Sequence, residues 1–267
     1  MGNNAPIGIF DSGIGGLTVV KEVQRLMPQE DIIYFGDTAR APYGSRSPEQ
    51  IVEFMHQILS FLQSQHVKMA IYACNTMTAL GLEQARTQYP FMLTGMSTGV
   101  EQALRGSNKH NIGVIATKAT IDSGSHSKAI KATGTRAAIY PQACPKLVPL
   151  IEHEVIEGEQ VDEAVAEYLR PLKGIDTLIL GCTHYPFIER SIRHIVGAGV
   201  RIVDPAKDTA NTAYEILDQA GQLADKSQQG HIRLCFSAGL DRARRMASLV
   251  MDTANVEFEL VNLEVRC

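Results

Sequence analysis

Cysteine stands twice in this chain of 267 residues at the end of an apolar run, followed by polar residues that can hold a small charged molecule. Met69-Ala70-Ile71-Tyr72-Ala73 leads into Cys74-Asn75-Thr76, and Thr177-Leu178-Ile179-Leu180-Gly181 leads into Cys182-Thr183-His184. Each apolar run reads as a buried strand, which puts each cysteine where a strand ends and a helix begins. A helix N-terminus favours thiolate over thiol, and such a cysteine acts as a base near neutral pH. A lone cysteine is more often a small buried hydrophobe, and that is the reading for Cys144, Cys235 and Cys267. Repetition in a matched setting separates Cys74 and Cys182 from them. Asn75, Thr76 and Thr183 offer hydrogen bonds to a carboxylate or ammonium, and His184 is a candidate proton partner for Cys182. His184 also reads as a zinc ligand in Cys182-x-His184 or as a helix cap. No third and fourth ligand stand at the usual spacing, so no metal is expected.

Other loops after strands carry further candidates. Asp11-Ser12-Gly13-Ile14-Gly15-Gly16 lacks the third glycine of a dinucleotide loop and the Gly-Lys-Ser/Thr of a phosphate loop. It reads as a tight glycine turn that presents Asp11 and Ser12 and turns backbone N–H groups toward a carboxylate. In Gly36-Asp37-Thr38-Ala39-Arg40-Ala41-Pro42-Tyr43-Gly44, Tyr43 and Gly44 are placed to close over a small ligand with a hydroxyl and an N–H. Arg40 reads equally well as a surface charge. Thr117 and Thr120 offer hydroxyls from the opposite half of the chain. Glu152 begins an expected helix and alone reads as a solvated acid. Asp122-Ser123-Gly124 repeats letters of the first loop too far past its strand to be its equivalent.

The elements that position these residues alternate along the whole chain. Strands are expected at Ile7–Phe10, Ile32–Phe35, Met69–Ala73, Ile112–Ala116, Ala137–Tyr140, Leu178–Leu180, Arg201–Val203, Ile232–Phe236 and Val256–Val261. The clearest helix opens at Ser47-Pro48-Glu49-Gln50, a capping box with proline in its first turn. Ile51, Phe54, Met55, Ile58, Leu59 and Leu62 then recur at helical spacing. Such alternation implies an α/β fold with mainly parallel sheets flanked by helices, and chemistry just past the carboxyl ends of the strands. The matched cysteine runs, with Ile7–Asp11 echoed by Ile112–Thr117, imply an internal duplication. The expected division is 1–97 plus 208–267 for the first α/β domain and 98–207 for the second. Two such domains facing each other would bring both cysteine loops to one cleft.

Composition sets outer limits. The net charge is -4 with no long basic cluster, which argues against a nucleic-acid footprint. No apolar run approaches membrane-spanning length, and the N-terminus has no leader pattern, so a cytoplasmic location is expected. Five widely spaced cysteines without Cys-x-x-Cys pairs argue against a disulfide framework.

With these loops in view, the sequence resembles the glutamate racemase family. The resemblance rests on Asp11–Leu17, on Gly36–Gly44 with Asp37 and Pro42, on Ala73–Thr76 and on Gly181–Pro186, in that order along the chain. It implies two domains related by a pseudo-twofold axis, with glutamate held between them. It further implies Cys74 and Cys182 as the two acid/base residues, with Asp11 and His184 assisting catalysis. Asp11, Ser12, Tyr43, Gly44, Asn75, Thr76, Thr183 and His184 would contact substrate, while Asp37, Pro42, Thr117, Thr120 and Glu152 would support the site. The implied reaction interconverts L- and D-glutamate without cofactor, Cys74 taking the proton from D-glutamate and Cys182 from L-glutamate, and supplies D-glutamate for peptidoglycan. The expected partners are the two glutamates and a second copy of the chain. An aspartate racemase and a non-catalytic amino-acid-binding protein are the alternatives.

Overall fold

The computed structural model describes residues 2–263. Ten strands occur among them: β1 (Ile7–Asp11), β2 (Ile32–Gly36), β3 (Met69–Tyr72), β4 (Met92–Gly95), β5 (Asn111–Ala116), β6 (Ala138–Ala143), β7 (Thr177–Gly181), β8 (Arg201–Val203), β9 (Ile232–Phe236) and β10 (Val256–Leu260). The chain divides into two compact units. One contains the residues up to Met96 and those from Ala206 onward; the other is Ser97–Pro205.

In the first unit the strand order is β10-β9-β2-β1-β3-β4, and every pairing is parallel. Every residue of β1, β2 and β3 is buried, as a parallel sheet covered on both faces requires. The helix Pro48–Ser64 packs its apolar stripe of Ile51, Met55, Ile58, Leu59 and Leu62 with Phe10, Phe35 and Tyr72. Each such buried side chain stabilises the fold by about 1.5–3 kcal/mol. Its start follows the expected capping box: the Gln50 N–H donates to Ser47 Oγ, and the Ser47 N–H donates to Gln50 Oε1, both at 3.3 Å.

In the second unit the order is β6-β5-β7-β8, again all parallel. This repeats β2-β1-β3-β4 strand for strand. β3 and β7, which lead into the two cysteines, therefore hold the same place in their sheets. At the neighbouring strand ends, the Asp37 N–H donates to Asp11 O at 3.0 Å and the Cys144 N–H to Ala116 O at 2.9 Å, one pattern in two units.

Two strand expectations are corrected. β4 is a strand that the periodicity does not show, because Met-Leu-Thr-Gly is only four residues long. β6 runs on through Pro141 to Ala143, which it can do because it is an edge strand, where a missing N–H breaks no ladder. Asp122 ends the helix Lys118–Asp122, and Ser123-Gly124 joins it to the helix Ser125–Ala132, away from any strand end.

Candidate active site

In the first unit three loops meet at the carboxyl ends of β1, β2 and β3. Asp11 closes β1 and is fully buried; its Oδ2 accepts the Gly16 N–H at 2.8 Å, so the carboxylate sits at the start of the helix Leu17–Leu26. Gly16 has an ordinary helical φ of -61°. What demands glycine there is space, since a Cβ would stand 2.8 Å from both Asp11 Cβ and the Tyr34 ring. The loop thus differs from a turn open to an outside carboxylate, because Asp11 itself occupies one of its N–H groups. Ser12 beside it is buried.

After β2, Asp37 is the hub of the Gly36–Gly44 loop. Its Oδ2 accepts from Arg40 Nε at 2.6 Å and from the Tyr43 hydroxyl, and its Oδ1 accepts from Ser237 Oγ at 2.9 Å. Arg40 also lies 4.1 Å over the Phe54 ring centroid and bonds Gln57, so it braces the loop and is not a free surface charge. Tyr43 is buried. Burial first, then Asp37, pushes its hydroxyl well above the ordinary tyrosine range; Arg40 opposes this, and Cys74 is close enough to add to the rise. Its hydroxyl donates to Asp37 within the loop. The Ala41-Pro42 peptide is cis.

Cys74 follows β3 in extended conformation and is the residue immediately before the helix Asn75–Ala85, whose first turn bonds back through the Thr78 N–H to Cys74 O at 2.9 Å. Cys74 retains 7% exposure, and Asn75 and Thr76 beside it are buried. The expected strand-to-helix junction is present at this cysteine.

In the second unit the junction differs. Cys182 is followed by a turn and a short 3-10 helix, Tyr185–Ile188, and an α-helix begins only at Glu189. Pro186 lies in the first turn of that 3-10 helix, where its missing N–H costs no hydrogen bond. The expectation of a helix N-terminus directly at Cys182 is therefore corrected. A charge partner takes its place: Cys182 Sγ lies 3.7 Å from His184 Nδ1, and His184 Nε2 lies 2.6 Å from Glu152 Oε1. All three side chains are nearly buried. Burial, the largest single influence on His184, opposes its charge, but Cys182 and Glu152 together outweigh it and raise the imidazole well above its usual range. Cys182, His184 and Glu152 form a line with both imidazole nitrogens engaged. Among the described residues no three His, Cys, Asp or Glu side chains converge as metal ligands.

Glu152 ends the helix Leu147–Glu152 and does not begin one, and it is buried against His184 and not solvated. The run Leu147–Ile151 is itself the buried helix, and the partner that makes the acid tolerable lies 32 residues away. Thr117 caps the helix Lys118–Asp122: its Oγ1 accepts the Thr120 N–H at 3.3 Å and donates to Thr120 Oγ1 at 3.0 Å. Thr183 is buried beside Cys182.

The match to known proteins is broad. A model of the Asp/Glu/Hydantoin racemase family fits residues 17–213. A glutamate racemase of Lysinibacillus sphaericus (strain C3-41) is 43% identical over 225 residues, 83% of this chain and 85% of its own length. The chain belongs to the glutamate racemase family. Solved members share its fold. A glutamate racemase isoform of Bacillus anthracis matches with a TM-score of 0.91 at 34% identity over 99% of this chain and 100% of that one. The glutamate racemase of Francisella tularensis, solved in complex with D-glutamate, matches with a TM-score of 0.87 at 34% identity over 98% of each. Within this family member, the first unit gathers Asp11, Ser12, Asp37, Pro42, Tyr43, Gly44, Cys74, Asn75 and Thr76 at adjacent strand ends of one sheet. The second unit gathers Thr117, Thr120, Glu152, Cys182, Thr183 and His184 around β5 and β7. The sequence reading passed over Ser237, which bonds Asp37 from the end of β9. Its signal was the position directly after a strand, the same signal that marked the other loops.

Proposed function

We propose that the chain interconverts L- and D-glutamate by a cofactor-free two-base route, with Cys74 and Cys182 on opposite faces of the substrate's α-carbon. The observation that carries this reading is the repeat of one four-strand arrangement with a cysteine after the same strand in each copy. The α-proton of an amino acid is weakly acidic, so removal needs a close base, and inversion needs an acid that delivers to the other face. A thiolate and a thiol supply both, provided fixed donors stabilise the charge that develops on the α-carboxylate. Asn75, Thr76 and Thr183, buried beside the thiols, are the donors proposed for that task, and Asp11 and His184 assist the proton transfers. Tyr43 and Gly44 contact the ligand through their backbone, with Asp37, Pro42, Thr117, Thr120 and Glu152 in support.

The Cys182 half carries its own charge relay. His184, bonded to Glu152 through Nε2 and facing Cys182 through Nδ1, is the proposed proton partner of that thiol. The same reading includes a homodimer, checked by light scattering, and a cytoplasmic location, which the unbridged thiols of Cys144, Cys182 and Cys235 suit. Cys267 lies outside the described residues. Purified protein dialysed against a chelator, with no pyridoxal phosphate added, should abolish the optical rotation of L-glutamate. Rotation that is lost for L-aspartate but not L-glutamate, or activity restored only by an added metal or cofactor, would overturn the proposal.

A further inference from the structure

The segment after β9 lies beyond residues 17–213, which the racemase family model matches, yet it is bonded to the Gly36–Gly44 loop at several points. We infer that Ser237 is a positioning residue: together with Thr38 it latches the Gly36–Gly44 loop so that the backbone of Tyr43 and Gly44 faces the substrate. The inference rests on the glutamate racemase reading and extends it to the far end of the sequence.

Ser237 Oγ donates to Asp37 Oδ1 at 2.9 Å across 200 residues of chain and accepts the Ala39 N–H at 2.9 Å. The Ser237 N–H donates to Gly36 O at 3.1 Å. One residue on, the Ala238 N–H donates to Thr38 Oγ1 at 3.0 Å, and the Thr38 hydroxyl donates back to Ala238 O at 2.5 Å. Both side chains therefore donate and accept across the same seam. Asp37 is fully buried, and a buried carboxylate needs its oxygens hydrogen-bonded. Its Oδ2 faces Arg40 and Tyr43 inside the loop, while its Oδ1 faces Ser237 outside it. Asp37 thus transmits the position of the β9 end to Tyr43, the residue next to Gly44. Loss of the Ser237 hydroxyl removes one partner from Asp37 Oδ1 and another from the Ala39 N–H. The loop then loses its fixed place, and ground-state binding weakens more than proton transfer between thiols.

The test is steady-state racemisation of both enantiomers by the full-length chain, with melting temperatures measured in parallel. Ser237→Ala should raise KM for L- and D-glutamate about tenfold, as expected for loss of a hydrogen bond to a charged group, with kcat changed by no more than about twofold. Ser237→Thr, which keeps the hydroxyl, should restore KM. Thr38→Val, which breaks the other half of the latch without changing volume, should reproduce the KM rise if Ser237→Ala folds poorly. An unchanged KM in folded Ser237→Ala and Thr38→Val would overturn the inference, as would a KM rise that Ser237→Thr fails to rescue. A wild-type chain that does not turn over glutamate would instead overturn the underlying functional reading.

Discussion

Changing Glu152 to Gln keeps the shape of the side chain that holds His184 but removes its charge. L- and D-glutamate are mirror images with equal free energy, so kcat/KM must fall by one factor in both directions; a fall of roughly a hundredfold is expected for a weakened acid/base partner. The direction-specific signature is the isotope effect. In the proposed route, where Cys182 takes the proton from L-glutamate as the family resemblance implies, proton transfer at that thiol becomes more rate-limiting in Glu152→Gln. The primary isotope effect with α-deuterated L-glutamate should rise while that with α-deuterated D-glutamate falls. Equal isotope effects in the two directions would detach Glu152 from Cys182. The second unit also holds a histidine of opposite behaviour. His126 is buried, and burial lowers it from 6.5 to about 4. The unfolded chain therefore takes up this proton first, and the contribution of His126 to stability, present above pH 6.5, is lost as pH falls toward 4. The loss is on the order of 3 kcal/mol at most. In His126→Phe the fall in unfolding free energy between pH 6.5 and 4, measured by urea titration, should be shallower than in the wild type. An equal fall would remove His126 from the acid response. His184 runs the other way: its raised value gives stability that is full below pH 6.5 and lost as pH rises through the folded value.

At the scale of single elements, the helix Leu17–Leu26 starts where it does because Asp11 reaches Gly16 across a gap that admits no side chain. Gly16→Ala should lower stability by about 1–3 kcal/mol through overpacking against Asp11, Tyr34 and Ala73, read as a drop in melting temperature. Activity should fall further than stability explains, because the same methyl displaces the Asp11 carboxylate. A variant as stable and active as the wild type would show that the turn has slack. Elements were legible in the sequence where local chemistry decides them. The Ser47–Gln50 capping box and the helical spacing after it, and the apolar runs of β1, β2, β3 and β7, needed no distant partner to be read. The candidate residues were legible for the same reason, since Asp11 closes such a run and Cys74 and Tyr43 follow one. What escaped depends on contacts far apart in sequence. Glu152 looks solvated until His184 is beside it, and Ser237 means nothing until β9 pairs with β2. The 3-10 helix after Cys182 was hidden by the likeness of its loop to that of Cys74.

The first unit is stitched from both ends of the chain, and one ion pair does much of the joining. Lys68 and Glu30 are buried together; Lys68 also bonds Asn3 O, and Glu30 accepts the Ala224 N–H at 2.7 Å. Lys68→Met leaves the Glu30 charge buried and should lower unfolding free energy by about 3–5 kcal/mol, with most of the loss recovered in Lys68→Met/Glu30→Leu. A single variant within about 1 kcal/mol of wild type would mean that water reaches Glu30. Tied together in this way, the chain folds twice into the same four-strand order and places a cysteine after the same strand each time. In the proposed reaction these two thiols act on one substrate, one removing a proton and the other returning a different one. In that route each thiol returned to solvent contact exchanges its proton before the next turnover. The direct test is racemisation of L-glutamate in deuterated water, sampled early by mass spectrometry after separation of the enantiomers. The first D-glutamate formed should carry deuterium at the α-carbon while the remaining L-glutamate is still protiated. Early D-glutamate that keeps the original proton would mean one base carrying it across, and would contradict the two-cysteine account.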